Sequence, residues 1–146
     1  MNTDTEMGIC YTQKWIERVD LQGNPDVFFL FGDNTERVGM GGQAKSMRHE
    51  PNAIGVATKL TPTSGSNAFF TDDDFLDNCR TIATDLRPAF QKRDQGHMIV
   101  IPADGLGTGL SELPQRAPQT NEFLEWMLDM LKNKGQPAWK QILNGG

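Results

Sequence analysis

Short apolar runs along the chain have the length and composition of buried β-strands. The clearest is at residues 27–31, where five apolar side chains follow a turn signal at residues 23–26. Residues 53–58 and 98–102 are further candidates, and residues 7–12 form a weaker one. Runs without polar alternation are typical of a sheet that helices cover on both faces.

Helical spacing of apolar residues appears between and after these strands. A short helix is expected at residues 43–49, and a final amphipathic helix that begins near residues 114–118 carries Leu124, Met127, Leu128 and Leu131. The longest pattern consists of Phe75, Cys79, Ile82, Leu86 and Phe90. Within it, Pro88 predicts a kink or an end, and Thr71 or Asp72 is the expected N-cap. The alternation of strand, loop and helix predicts a layered α/β domain with a largely parallel sheet.

The chain length fits one domain. With 146 residues, it can bury a core without help from disulfides or metals. We expect a domain at residues 1–134 and a polar tail at 135–146, in which Trp139 either folds back or contacts a partner. Cys10 and Cys79 fit neither a disulfide framework nor a zinc site. No signal peptide or membrane span is recognisable, so we expect a cytoplasmic protein without metal, cofactor or membrane partner.

Charge and glycine content narrow the candidate ligands. The net charge of −5 argues against a general nucleic-acid surface but not against a small anion, because backbone N–H groups can hold phosphate. Many of the 15 glycines cluster in two loops, and each loop follows a predicted strand and precedes a helix. Ligands of parallel α/β sheets bind beyond the carboxyl ends of the strands, so both loops lie where a ligand is expected.

The first loop (residues 32–44) has Asp33 and Asn34 at the strand end, followed by Gly39, Gly41 and Gly42. It lacks the Gly-Lys-Ser/Thr ending of a P-loop, and its glycine spacing differs from that of a dinucleotide-binding fingerprint. A flexible surface connection is one interpretation. Three glycines before a helix favour the other interpretation, a ligand-binding wall.

The second loop (residues 102–114) contains Gly105, Gly107 and Gly109 within five positions. Successive N–H groups in such a segment can form an anion-binding nest for a diphosphate. Thr108 and Ser111 add hydroxyl donors. A purely structural turn is the alternative, although such a turn rarely needs three glycines so close together.

Both loops, with the strands before them, resemble the macrodomain family of ADP-ribose-binding modules. The similarity is greatest to its terminal ADP-ribose glycohydrolases and the antitoxins that remove ADP-ribose from DNA. That branch has an Arg-x-Gly-x-Gly element, a Thr-Lys strand end and a Gly-x-Gly-Leu-Asp loop. This chain has Arg37-Val38-Gly39-Met40-Gly41, Thr58-Lys59 and Gly107-Thr108-Gly109-Leu110, in that order between about residues 27 and 131. The Phe-Gly-Asp-Asn start also resembles small phage-encoded macrodomain-like proteins.

The resemblance implies a three-layer fold with a central, mostly parallel mixed sheet and helices on both faces. It implies binding of ADP-ribose or a related, including cyclic, adenine nucleotide, either free or attached to protein or nucleic acid. For a phage protein the location would be the host cytoplasm. The implied ligand-binding residues are Asp33, Asn34, Arg37, Gly39, Gly41, Gly42, Thr58, Gly105, Gly107, Thr108, Gly109, Leu110 and Ser111.

The resemblance also implies a catalytic alternative, an ADP-ribosyl glycohydrolase in which Lys59 attacks the ribose carbon. Such an amine needs a lowered pKa. The family's partner carboxylate follows the Gly-x-Gly-Leu run, where this chain has Ser111, with Glu112 one residue later. Either Glu112 or Asp33 handles the protons, or hydrolysis is absent. If Lys59 is not a nucleophile, it either binds a phosphate or ribose group of the ligand or is a solvated surface lysine. For the protein as a whole, the third class of function is a structural or interaction protein.

Overall fold

A parallel β-sheet forms the centre of the computed structural model, which describes residues 6–144. Its strands are β1 (Cys10–Gln13), β2 (Phe28–Asn34), β3 (Ala53–Lys59) and β4 (Ile99–Pro102), in the spatial order β1-β4-β2-β3. Each neighbouring pair is parallel. The carboxyl ends of β2 and β4 therefore lie side by side, although the chain visits β3 between them.

Helices cover both faces of the sheet. The helices are α1 (Arg18–Gly23), α2 (Ala44–Met47), α3 (Phe75–Asp94), α4 (Leu113–Arg116), α5 (Pro118–Lys132) and α6 (Trp139–Asn144). Leu30 of β2 packs with α3 and α5, whereas the adjacent Phe29 packs with Leu21 of α1 and Met47 of α2. Because successive strand side chains alternate between faces, both faces are buried and the domain has three layers, as expected.

Two helices differ from the sequence-based expectation. The α3 helix does not end at Pro88 but continues to Asp94. Leu86 and Phe90 on either side of the proline are buried, and this burial outweighs the lost backbone hydrogen bond. The α2 helix has only four residues, since Arg48 has an extended ψ and His49 a positive φ of 78°.

Asp72 stabilises a different helix from the one that the sequence indicated. It lies in a 3₁₀ turn before α3, and its carboxylate accepts hydrogen bonds from the backbone N–H groups of Gln119 and Thr120 in α5, at 2.9 and 3.0 Å. Burial opposes ionisation, but these hydrogen bonds lower the pKa of Asp72 below its usual value. Asp72 thus holds the start of α5 against the start of α3.

The segment expected to be a polar tail belongs to the domain. Trp139 of α6 packs edge-on against Phe90 of α3, with ring centroids 5.1 Å apart. Ile142 and Leu143 pack against the same core. The buried guanidinium of Arg93 donates to the carbonyls of Met130, Leu131 and Gly135, which anchors the end of α5 and the start of this segment. Within residues 6–144, no helix is long and apolar enough to cross a membrane.

Candidate ligand-binding site

The two glycine-rich loops meet at the carboxyl edge of the sheet and line one cavity of about 300 Å³. The first loop continues from β2 and the second from β4, so the adjacency of these strands brings the loops together. Thr58 is buried and does not line the cavity. Arg37 and Glu112 are also absent from the lining, because they form ion pairs with Asp85 and Arg116. The structure brings the remaining candidates to the lining: Asp33, Asn34, Gly39, Gly41, Gly42, Lys59, Gly105, Gly107, Thr108, Gly109, Leu110 and Ser111.

Close approach of the two backbones explains several of the glycines. A Cβ atom at Gly41 would lie 2.8 Å from Cδ1 of Leu110 in the second loop. At Gly107, where φ is +79°, a Cβ would lie 3.0 Å from Cβ of Leu113 and 3.2 Å from Cβ of Thr58. Gly107 is therefore required both by its backbone conformation and by its neighbours.

The second loop offers a row of backbone donors. Some donors of this loop already bond within it. The Thr108 hydroxyl donates to the Asp104 carbonyl, and the Leu113 N–H donates to the Gly107 carbonyl. The N–H groups of residues 107–110 have no acceptor within the described part of the chain. Residues 107–110 all line the cavity, and successive N–H groups without internal acceptors can form an anion-binding nest.

The first loop is held together by a buried ion pair. Arg48, directly after α2, donates to both carboxylate oxygens of Asp33 at the end of β2. Its Nε donates to the Gly39 carbonyl at 2.7 Å, and its Nη2 approaches the Val38 carbonyl at 3.3 Å. Gly55 on β3 makes room for this pair, because a Cβ there would lie 2.6 Å from Asp33 Oδ2. One guanidinium thus fixes the strand end and the path of the loop.

Asn34 and Arg37 also organise the first loop. The Asn34 amide donates to the Val38 carbonyl at 2.7 Å and accepts from the Glu36 N–H at 3.0 Å. Arg37 binds both carboxylate oxygens of Asp85 on α3 at 2.8 Å. Although burial opposes the charged form, Asp85 raises the pKa of Arg37 above its usual value. Both side chains are therefore engaged within the protein.

Thr58 and Lys59 connect β3 to the cavity. The Thr58 hydroxyl is fully buried and hydrogen-bonds the Ser111 hydroxyl at 2.5 Å. Lys59 is buried rather than solvated, and its Nζ donates to the Thr63 carbonyl at 2.8 Å. The same ammonium lies 4.6 Å from the centre of the Phe69 ring. Lys59 therefore presents a partly desolvated cation at the cavity wall.

The carboxylates considered as proton carriers have other partners. Glu112 is exposed, has a positive φ of 49°, and accepts a hydrogen bond from Arg116 Nε at 2.8 Å. Asp33 is paired with Arg48, as described above. Asp104 is the other carboxylate in the lining, and it is exposed. The two carboxylates expected to carry protons, Asp33 and Glu112, are therefore both engaged in ion pairs.

Sequence reasoning missed four polar side chains of the lining, namely Lys14, Gln43, Arg48 and Asp104. Lys14 follows the carboxyl end of β1, so its position could have been anticipated once β1 was placed beside β4. Three cations, Lys14, Arg48 and Lys59, face two carboxylates, Asp33 and Asp104. The lining is therefore net positive although the whole chain carries −5. No group of three or more His, Cys, Asp or Glu side chains suited to a metal ion occurs among residues 6–144.

The fold and the site define a three-layer α/β protein with a ligand-sized cavity where its parallel strands end. The chain belongs to a family of unknown function, DUF7831, which matches residues 11–127. The matched range contains both loops and most of α5. No curated protein and no solved structure matches the chain.

Proposed function

We propose that the cavity binds the diphosphate of ADP-ribose or of a related adenine nucleotide, cyclic ones included. The observation that carries this proposal is the row of N–H groups at residues 107–110, which have no acceptor among residues 6–144. Consecutive backbone donors bind phosphate oxygens without the help of basic side chains. The macrodomain-like order of the sequence motifs supports the nucleotide class of ligand.

The charges of the cavity support the same proposal. Its cations exceed its carboxylates, and Arg48 and Asp33 largely neutralise each other. Lys14 and Lys59 then remain as positive charges beside the backbone donors of the second loop. An anionic ligand would be attracted by both lysines and by the backbone donors, whereas a cation would be attracted only by the exposed Asp104.

The first loop contributes shape rather than side-chain contacts. Asp33 and Asn34, the side chains expected to read a ribose, are bonded to Arg48 and to the loop backbone. The ligand would instead meet the glycine backbone at residues 39–42, where small residues allow close approach. The proposal thus places the sugar of the ligand against this wall and the diphosphate against the second loop.

A ligand panel tests the proposal. Purified protein is titrated with ADP-ribose, ADP and pyrophosphate, with uncharged adenosine as the control, by calorimetry and thermal shift. A ligand at a hundred times its Kd adds about 2.7 kcal/mol to the free energy of unfolding, which raises Tm by several degrees. Adenosine should bind far more weakly than ADP. Failure of every phosphorylated compound to bind would refute the proposal.

A pair of charge variants locates the binding site. Leu110 in the second loop and Leu76 at the start of α3 are 67% and 65% exposed, so replacing either by Asp should leave the core intact. Leu110→Asp places a carboxylate beside the donor row and should weaken ADP binding by about tenfold. Leu76→Asp should bind ADP like the wild type. Equal loss in both variants would place the anion elsewhere.

The position of Lys59 favours a second candidate, an ADP-ribosyl glycohydrolase acting on protein or nucleic acid. Lys59 is buried at the cavity wall, where its neutral amine could bond to the anomeric carbon as the bond from that carbon to the protein or nucleic acid breaks. The released group takes up a proton from water, and a second water molecule then cleaves the covalent adduct into ADP-ribose and the free amine. Lys59→Ala should abolish turnover of an ADP-ribosylated substrate while leaving ADP binding within a few fold. Undiminished turnover by the variant excludes this mechanism.

A further inference from the structure

We infer that Gln43 determines the specificity of the cavity, because its side-chain oxygen accepts a hydrogen bond from a donor group of the ligand. This inference rests on the proposed function and deepens it. Gln43 lies directly before α2 and lines the cavity together with Gly41 and Gly42. Gln43 belongs to the first loop but was not among the expected ligand-binding residues.

The observation is an unsatisfied polar atom. Gln43 Oε1 is buried and has no hydrogen-bond partner among residues 6–144, and it is the sole buried side-chain nitrogen or oxygen in that range of which this is true. Because this oxygen is covered in the ligand-free protein, the amide must rotate toward the cavity that Gln43 lines before a donor of the ligand can reach it. Buried polar atoms in proteins are almost always hydrogen-bonded, and exceptions often mark functional positions. The neighbouring Asp33, Asn34 and Arg48 are all fully engaged, so the isolation of Gln43 is not a general property of this loop.

The chemistry of an amide oxygen restricts the ligand. Oε1 can only accept a hydrogen bond, so phosphate and pyrophosphate oxygens, which also accept, cannot satisfy it. The ligand must present an N–H or O–H group beside its anionic part. A nucleotide has two sources of such a donor, the ribose hydroxyls and the exocyclic amine of adenine. The neighbouring amide nitrogen of Gln43 suits the amine in particular, because glutamine can pair with both the amine and a ring nitrogen of adenine.

A near-isosteric substitution tests the assignment. Gln43→Met removes the amide and keeps the length of the side chain, while Gln91→Met on the exposed face of α3 is the matched control. Gln43→Met should bind ADP about tenfold more weakly than the wild type and bind pyrophosphate equally well. The ligand-free variant should have an equal or higher Tm, because it no longer buries an unpartnered oxygen. Gln91→Met should match the wild type throughout.

Two nucleotide analogues distinguish the donors. Inosine diphosphate replaces the amine by an oxo group, and 2′,3′-dideoxy-ADP lacks the ribose hydroxyls. If the amine is the donor, wild-type protein should bind inosine diphosphate about as weakly as Gln43→Met binds ADP. If a hydroxyl is the donor, the dideoxy analogue should show that loss instead. In either case, Gln43→Met should no longer distinguish the affected analogue from ADP.

The outcomes separate this inference from the function on which it rests. If the wild type binds ADP and Gln43→Met binds it equally well, the assignment of Gln43 is overturned and the proposed function stands. An equal loss of ADP and pyrophosphate binding also overturns the assignment, because it reflects damage to the loop. If the wild type binds no nucleotide in the panel, the proposed function falls and the assignment falls with it.

Discussion

The two loops around the cavity are built in opposite ways. In the first loop, side chains bond to one another and to backbone carbonyls, with Arg48 and Asn34 at the centre. In the second loop, the backbone N–H groups of residues 107–110 lack acceptors among the described residues. One wall is thus fixed by internal hydrogen bonds, while the other has backbone N–H groups that the described residues leave unbonded.

This difference shows that two loops with the same glycine-rich composition can have different structural roles. Gly39 is needed where the first loop turns, at a φ of +99° and beside Pro62. Gly107 is needed where the second loop passes over Thr58. Substitutions in the first loop should therefore act mainly on stability, and those that alter charge beside the second loop should act mainly on ligand affinity.

The largest expected effect is at Arg48. Arg48→Met leaves the Asp33 carboxylate buried without its partner and should lower the free energy of unfolding by about 3–5 kcal/mol, as measured by urea denaturation. Arg18→Met breaks the more exposed pair with Glu50 and should cost about 1 kcal/mol or less. Adding Asp33→Asn to Arg48→Met should recover part of the loss. A similar cost for Arg18→Met and Arg48→Met would contradict the central role of Arg48 in the first loop.

Gly107→Ala should have the next largest effect. The substitution forces a Cβ into a backbone with φ of +79° and against Leu113, so we expect a loss of about 2 kcal/mol in the free energy of unfolding. Gly109→Ala is the matched control, since a Cβ there meets no atom within 4 Å, and it should change stability by less than about 0.5 kcal/mol. Equal Tm values for the two variants would show that the second loop tolerates a side chain at either position.

Asn34→Ala should have a smaller effect that is confined to the first loop. It removes the hydrogen bonds to the Val38 carbonyl and from the Glu36 N–H, which should cost about 1–2 kcal/mol. Hydrogen exchange should show faster opening of residues 35–40 with unchanged protection in the second loop. Asn67→Ala, at an exposed position, is the control. Faster exchange in both loops would mean that they open as one unit.

Asp72 provides the smallest expected effect and touches neither loop. Its lowered pKa means that the carboxylate stabilises the fold above the pKa of the unfolded chain, about 3.9, and that this contribution is lost as pH falls through the folded-state pKa. Asp72→Ala should therefore be less stable than the wild type by about 1 kcal/mol at pH 7, and the difference should shrink below about pH 4. Asp73→Ala, at an exposed position, should show no such pH dependence. A pH-independent difference for Asp72→Ala would rule out this role.

The strands were predictable because burial on both faces leaves a strong signal in a single sequence. Residues 28–31 and 99–102 lie within the predicted apolar runs and form strands. The short helices left weaker signals, because α1 and α2 are stabilised by contacts of Leu21 and Met47 with the sheet more than by their own propensity. For the same reason α3 does not end at Pro88, since the local preference of proline yielded to packing.

The location of the site was predictable, but the partners of its side chains were not. The rule that ligands bind beyond the carboxyl ends of parallel strands correctly placed both loops at one cavity. The pairing of Asp33 with Arg48 depends on how the chain turns after α2, which no local pattern encodes. Glu112 differs, because its pairing with Arg116 has the local i,i+4 spacing, and only its left-handed backbone conformation depends on the path of the second loop.

The strand order also has a consequence for the order of events during synthesis. Of the four strands in residues 6–144, β1 is synthesised first and pairs with β4, which is synthesised last, so β1 lacks this partner until the chain has been made past residue 102. β2 and β3 can pair much earlier, because only a short connection separates them. A nascent chain that stalls before β4 would therefore carry an unpaired β1 and an incomplete sheet, and unpaired strand edges of this kind favour aggregation.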